Sequence, residues 1–459
     1  MEHLMAVILA AGEGKRMKSR NSKVIHKVCG KTLVEWVFQA VANAGVAESV
    51  VVVGHREDQV RGCLGDKVCY AVQERQLGTG HAVMQAEEYL KDKDGYVIVL
   101  CGDTPLITSE TISRTIKVHR ESGNSATVIT VELPEPTGYG RILRNDCGDV
   151  LRIVEHRDAT DEEKKIREIN SGMYCFTIKD LLLALTELGN DNHQGEYYLT
   201  DTLEILVKKR LKVGAVKVQS PDEILGINDR VQLAEASEIM RRKILKSHMK
   251  SGVTLIDPSS TYIDGDVLIG IDTVIYPGTI IEGETVIGEE CTIGPNSRLG
   301  FAKIGNKVEI ENSVVLESSI DDDTHVGPFA YIRPGSCIGK DVKIGDFVEI
   351  KKSQIGDKTK VSHLTYIGDA DVGSNVNMGC GVVVVNYDGK NKHKTVVGDN
   401  AFVGCNVNLV SPVVVKDNAY IAAGSTITNE VPENSLAIAR SRQVIKEDWV
   451  LKKGLSRRD

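Results

Sequence analysis

Residues 9–23, LAAGEGKRMKSRNSK, place a glycine-rich turn and a group of cations directly after an apolar, branched run, Met5-Ala6-Val7-Ile8-Leu9. Such a run suits a buried parallel strand. Gly12 and Gly14 let backbone N–H groups approach an anion, and helix-forming residues are expected to follow. From Lys15 to Lys31 there are seven Lys or Arg residues and no Asp or Glu, in a chain of formal net charge -8. Positive charge concentrated beside this turn predicts a polyphosphate ligand. Two commoner glycine loops fail at one position. Both GxxxxGK[ST] and GxGxxG, started at Gly12, need glycine where Met17 stands, which disfavours a P-loop ATPase and a dinucleotide enzyme.

Two more places carry chemistry. Cys101-Gly102-Asp103 follows the apolar run Tyr96–Leu100, and a carboxylate at a strand's carboxyl end suits a hard cation such as Mg²⁺. The alternative is a helix N-cap for the segment after Pro105. In the second half, His363 in VSHLTYIGD titrates in the range useful to acid–base chemistry, although a lone histidine is more often structural.

The elements that must position these residues differ between the halves. Apolar runs at Val50–Val53, Val68–Val72, Val97–Leu100 and Ala126–Val131 alternate with helical patterns such as Leu33–Ala44 and His81–Leu90. That order predicts a doubly wound, Rossmann-like sheet with ligands at the carboxyl ends of its strands. Residues 229–249 read as one helix of roughly 30 Å, with Leu233, Ala236, Met240 and Ile244 on one face. Beyond it, branched residues recur every six positions from Ile263 through Ile269, Ile275, Ile281, Ile287 and Ile293 to Leu299. The count restarts at Ile304, Ile320, Ile355 and Val372, and a last run goes from Val397 to Ile427. Six matches neither a helix nor a simple alternating sheet; it fits a left-handed parallel β-helix of hexapeptide repeats. About 28 hexads at three per coil give about nine coils and, at ~4.8 Å each, a prism about 43 Å long. Between Val384 and Val397 the segment Asn386–Lys394 must leave the coil as a loop, and it brings Lys390, Lys392 and Lys394.

With 459 residues, two or three domains are expected. Hydrophobic content of 41% and charged content of 26% describe a globular chain. No apolar run approaches a membrane span and no secretory signal is evident, so a cytoplasmic protein is expected. The ten cysteines lack CxxC spacing and read as reduced thiols. The acidic balance does not suggest nucleic-acid binding.

The motif L-A-A-G-x-G-x-R-M with a following lysine (Leu9, Ala10, Ala11, Gly12, Gly14, Arg16, Met17, Lys23) resembles that of nucleotidyltransferases that make sugar nucleotides. Over residues 5 to 443 the chain resembles the bacterial bifunctional family that forms UDP-N-acetylglucosamine, a precursor of peptidoglycan and lipopolysaccharide. That resemblance implies an N-acetylglucosamine-1-phosphate uridyltransferase domain (1–228), a linker helix (229–250), a glucosamine-1-phosphate acetyltransferase domain of repeats (251–437) and a C-terminal tail (438–459). In the first domain it implies uridyl-substrate contacts at Leu9, Ala10, Ala11, Gly12, Lys23, Gln73, Gly78, Thr79 and Gly102, and sugar contacts at Gly140, Glu155 and Asn170. Asp103 and Asn228 would hold Mg²⁺, while Arg16 and Lys23 would neutralise the phosphoryl oxygens as UTP is attacked. In the second domain His363 would accept the amine proton, with Glu349 orienting its imidazole. Arg333, Lys351, Tyr366 and Asn377 would bind the sugar phosphate; Cys380, Asn386, Tyr387, Cys405, Ala423 and Arg440 would line acetyl-CoA. Cys101, Cys380 and Cys405 depart from the family's expected tyrosine, alanine and serine. A homotrimer acting on small-molecule substrates is implied as well.

The alternative is a monofunctional sugar nucleotidyltransferase with a scaffolding or regulatory β-helix, as in ADP-glucose pyrophosphorylases. A further rival is a binding scaffold or a zinc-dependent β-helix enzyme. Only His325, His363 and His393 lie in the repeats, without the close pair that a zinc site needs.

Overall fold

The computed structural model describes residues 3–146 and 148–455; Met1, Glu2 and residues 456–459 of the expected tail lie outside the described residues. The chain divides into two compact units, Met1–Lys243 and Ile244–Asp459, and the dividing point falls within the helix Arg230–Lys250. Asp229 begins that helix by accepting the amides of Val231 and Gln232, both at 2.9 Å.

In the first unit the strand His3–Leu9 is central, pairing in parallel with Glu48–Val53 and Gly95–Cys101. Ala6, Val7 and Ile8 are fully buried, as a strand covered on both faces requires. The sheet order is Val213–Lys217, Ala126–Glu132, Glu168–Thr177, Gly95–Cys101, His3–Leu9, Glu48–Val53, Cys69–Val72. Five of these strands coincide with the runs expected from the sequence. Glu168–Thr177 was not foreseen: it runs antiparallel to both neighbours, and a register shift separates Asn170 from Tyr174. Polar residues and Gly172 interrupt its alternation, so no strand pattern is legible there.

Two local expectations fail. The glycine turn is followed not by a helix but by short 3-10 turns, Lys15–Met17 and Lys23–Ile25, and the first α-helix begins only at Leu33. Gly14 and Lys18, with φ of 63° and 47°, bracket the first turn in left-handed backbone and stop its propagation. The helix expected over His81–Leu90 is two pieces, Thr79–Met84 and Glu87–Leu90. The Gln85 side chain donates to the His81 carbonyl at 2.9 Å, taking the acceptor that the next helical turn would use.

The second unit is a parallel β-helix. Three sheets of eleven, ten and nine short strands run along it, about ten coils where nine were expected. The added strands, Thr254–Leu255 and Leu436–Ala437, lie outside the counted hexads. Partners such as Ile263 and Ile281 stack with one turn between them, and the hexad residues fill a single apolar core. Asn386–Lys394 leaves the coil as expected. Tyr387 bridges to Lys392, and the step between coils widens to 25 residues at that point.

Candidate active sites

The nucleotide-type site gathers at the carboxyl ends of the parallel strands. Leu9 ends the central strand; its carbonyl accepts the Gly102 amide at 2.9 Å, and the Ala10 amide donates to Val52 at 2.8 Å. The three strand ends are therefore laced together, which fixes Ala11-Gly12 and Asp103 beside each other. Gln73 continues the next strand through an amide bond to the Val53 carbonyl at 2.7 Å, and its buried side chain donates to Gly78 at 3.1 Å. Thr79 accepts the Leu199 amide at 3.1 Å.

Gly14, not Gly12, is the glycine this backbone demands. A Cβ on Gly14 would lie 2.6 Å from the Cβ of Lys23, whereas one on Gly12 meets nothing within 4 Å. This close approach and buried Met17 hold the loop so that Lys23 turns inward. Its Nζ pairs with Asp103 and also donates to Asn228 Oδ1 at 3.2 Å. One cation thus already touches both oxygens that the sequence assigns to Mg²⁺, and a carboxylate with an amide carbonyl is a fitting hard donor set. Asp103 is not a helix cap: the helix Ser109–Glu121 is capped by Thr108, which accepts the Thr111 amide at 3.2 Å. Arg16 is exposed, and among the described residues no hydrogen bond or ion pair ties it to Lys23 or Asp103.

Gly140, Glu155 and Asn170 form a second group. A Cβ on Gly140 would stand 3.4 Å from Glu155 Oε1 and 3.6 Å from the Asn170 Cβ. Asn170 donates to the Tyr174 hydroxyl at 2.8 Å and accepts the Gly172 amide at 2.9 Å. Gly172 in turn accepts from the Cys101 thiol at 3.5 Å, and burial pushes that thiol up to about 12. Cys101 is therefore a neutral packing group at pH 7. Burial raises the Glu155 carboxyl above its ordinary range, with Asp158 and Asp201 adding to the shift. Asp201, itself pushed up to about 6, adds to that shift where it is ionised, so Asp201→Asn is expected to move the Glu155 titration to lower pH. Carbon-13 NMR titration of the Glu155 carboxyl in wild type and variant checks this.

In the repeats, the Asp346 and His363 strands are register partners, and Nδ1 of His363 pairs with Asp346. Asp346, not Glu349, holds the imidazole. Glu349 instead accepts from Arg333 Nη1 at 2.7 Å. The reason is positional: Glu349 lies around the prism corner, on the ladder with Tyr366. Sequence reading missed Asp346, yet the coil repeat contained the signal, since it stands one coil before His363 at the same register. A carboxylate can only accept, so Nδ1 carries the proton and Nε2 keeps its lone pair for an incoming proton.

That register position forms a column. His363 is followed by Cys380, Cys405 and Ala423; Gly381 donates to His363 O at 3.4 Å, Asn406 to Cys380 O and Gly424 to Cys405 O, both at 2.8 Å. The Arg440 side chain reaches this column, its Cδ 3.7 Å from a Cβ placed on Gly424. Lys351, Tyr366 and Asn386 meet at the next corner. Buried Lys351 bonds Asp369 at 2.9 Å; Asn386 also donates to Asp369 and lies 3.5 Å from the Tyr366 hydroxyl. Burial works against the Lys351 charge, but Asp369 outweighs it and the ammonium pKa is raised. Lys392 of the loop is lowered by facing Lys351. Asp388 braces the loop by accepting hydrogen bonds from the amides of Lys390 and Asn391 and from His393 Nε2 at 2.6 Å. Tyr387, also exposed, donates to Gly389. Asn377 lies on the ladder of the His363 strand, between Lys360 and Phe402.

His325 pairs with Glu309, so the three histidines of the repeats engage three different carboxylates. That arrangement opposes a shared zinc site.

The fold and the two groups of side chains define a nucleotidyltransferase domain joined to a hexapeptide-repeat transferase domain. Comparison with known families agrees: a nucleotidyl transferase model matches residues 5–220, a bacterial transferase hexapeptide model 266–301, and a GMPPB C-terminal domain model 317–436. Bifunctional protein GlmU of Acetivibrio thermocellus is 72% identical over 459 residues, 100% of both chains. The proteins of that name from Clostridium botulinum and Clostridioides difficile are 59% and 56% identical, each over 98% of this chain and 98% and 97% of theirs. The chain belongs to the family of bifunctional GlmU proteins.

Proposed function

We infer that this chain forms UDP-N-acetylglucosamine in two transfers, each in its own domain. The repeats move acetyl from acetyl-CoA to the amine of glucosamine-1-phosphate, and residues 1–228 then move UMP from UTP to N-acetylglucosamine-1-phosphate, releasing pyrophosphate. The bifunctional reading, as against a scaffolding β-helix, is carried by the Asp346–His363 pair, because a passive prism needs no oriented imidazole.

For acetyl transfer, His363 Nε2 takes the amine proton as the nitrogen attacks the thioester carbonyl. Asp346 steadies the imidazolium that forms. Arg333 and Lys351 suit the sugar phosphate; Tyr366, Asn377 and Asn386 suit its hydroxyls and amine. Cys380, Tyr387, Cys405, Ala423 and Arg440 suit the acyl donor. Asp346→Asn is expected to lower acetyl-transfer kcat at least about tenfold, a part of the general-base contribution of about 10²–10⁴. KM for both substrates should stay unchanged in steady-state assays.

For UMP transfer, the sugar phosphate oxygen attacks the α-phosphorus in line. Mg²⁺, held by Asp103 and Asn228, would neutralise charge on the phosphoryl oxygens. Lys23 and Arg16 add positive charge there, Leu9–Gly12, Gln73, Gly78, Thr79 and Gly102 hold the nucleotide, and Gly140, Glu155 and Asn170 hold the sugar. The domain limits, the helix 229–250 as linker, a homotrimer and a cytoplasmic setting belong to the same reading. Among the described residues no helix is long and apolar enough to cross a membrane.

The test is to incubate the protein with glucosamine-1-phosphate, acetyl-CoA, UTP and Mg²⁺ and identify the sugar products by mass spectrometry. UDP-N-acetylglucosamine is the expected product. A uridylylated but unacetylated sugar would return the repeats to a scaffolding role.

A further inference from the structure

We propose that Cys380 and Cys405 form a cross-coil dithiol, a modification site that low-molecular-weight disulfides oxidise to an intrachain disulfide and that shuts off acetyl transfer when closed. The placement of the pair at the acyl-donor site rests on the functional reading above; the dithiol itself rests on register alone. Asn377 and Met378 pair with Phe402 and Val403, so two residues further on Cys380 and Cys405 face the same way in adjacent coils. The backbone holds them there. Gly379 donates to Val403 O and Asn406 to Cys380 O, both at 2.8 Å, and a Cβ on Gly379 would come within 2.6 Å of the Cys405 amide nitrogen. Neighbouring strands stand about 4.7–4.9 Å apart, inside the roughly 4.4–6.8 Å between Cα atoms that a disulfide spans. Both thiols are free, Cys405 exposed and Cys380 half-buried, so a reagent reaches the pair from solvent.

The exchange balances without a metal. The Cys405 thiolate attacks one sulfur of the small disulfide and expels a thiolate, leaving a mixed disulfide. The Cys380 thiolate then attacks the Cys405 sulfur and expels the second thiolate. Two electrons pass to the reagent, and the two thiol protons go to solvent and the released thiolates. The new bond draws both sulfurs together on the column that continues from His363, across the surface where the thioester must approach.

The full-length protein is treated with oxidised glutathione, and its peptides are mapped by mass spectrometry without reduction. Expected is a Cys380–Cys405 linked peptide pair two hydrogens lighter than the reduced peptides. Acetyl transfer should be lost in proportion to the linked fraction and return with dithiothreitol, while UMP transfer is retained. No linked pair after treatment, or a linked protein that still transfers acetyl, overturns the proposal. Phenylarsine oxide gives a second measurement, since its arsenic bridges two thiols with release of water: one equivalent should add across this pair, and Cys405→Ala should abolish that adduct. An adduct that persists on Cys380 in the variant overturns the pairing. A reduced protein that transfers UMP but no acetyl would overturn the functional reading instead, and the peptide map would still decide the dithiol.

Discussion

His363→Ala is expected to lose acetyl transfer by about 10²–10⁴-fold, the usual worth of a positioned general base, while UMP transfer is unchanged. The amine of the sugar must shed a proton as it attacks, and Nε2 is free to take it only because Asp346 occupies Nδ1. The side chain is more exposed than buried, at 56% of its possible surface. Removing it therefore leaves no cavity and costs the fold little. The two rates, measured separately with the two sugar phosphates, check the prediction. A parallel fall in both would mean that the substitution damaged the chain as a whole.

Asp103→Ala should do the converse, lowering UMP transfer by at least about 10²–10³-fold and sparing acetyl transfer. Among the described residues its carboxylate is the one formal negative charge bonded to Lys23, and with Asn228 Oδ1 it makes the oxygen pair suited to the divalent cation. The backbone part of Asp103 is separate, since its carbonyl accepts the Ile227 amide at 3.0 Å whatever side chain is present. Alanine thus removes the charge without unlacing the strand ends. Mn²⁺ binding followed by electron paramagnetic resonance should weaken in step with the rate. Asp103→Asn, which keeps the shape, separates charge from packing: it should behave like the alanine variant.

Much of this architecture is legible residue by residue. Met5–Leu9 is apolar on both faces, and only a strand covered on both sides uses such a run. The six-residue spacing of Ile263 through Leu299 admits one regular solution, a coil with three short sides. Less was legible where neighbours compete for a backbone group. The break at Gln85 depends on an amide side chain reaching the His81 carbonyl, and the antiparallel strand Glu168–Thr177 depends on the place left for it between two others.

The sites divide along the same line. Asp103 was legible from its place at the end of an apolar strand run, whereas Lys23 and His363 were singled out by the family motifs in which they stand. The partner of His363 was misjudged. Glu349 is closer in sequence than Asp346, but a prism corner separates it from the histidine and its carboxylate goes to Arg333. By itself the sequence determined the two kinds of element, the period of the repeat and the residue types of each site. Only the tertiary structure decided which side chains meet, because coil-to-coil register joins residues a whole turn apart, and the length of that turn varies along the prism, from 17 residues between Asp346 and His363 to 25 across the loop.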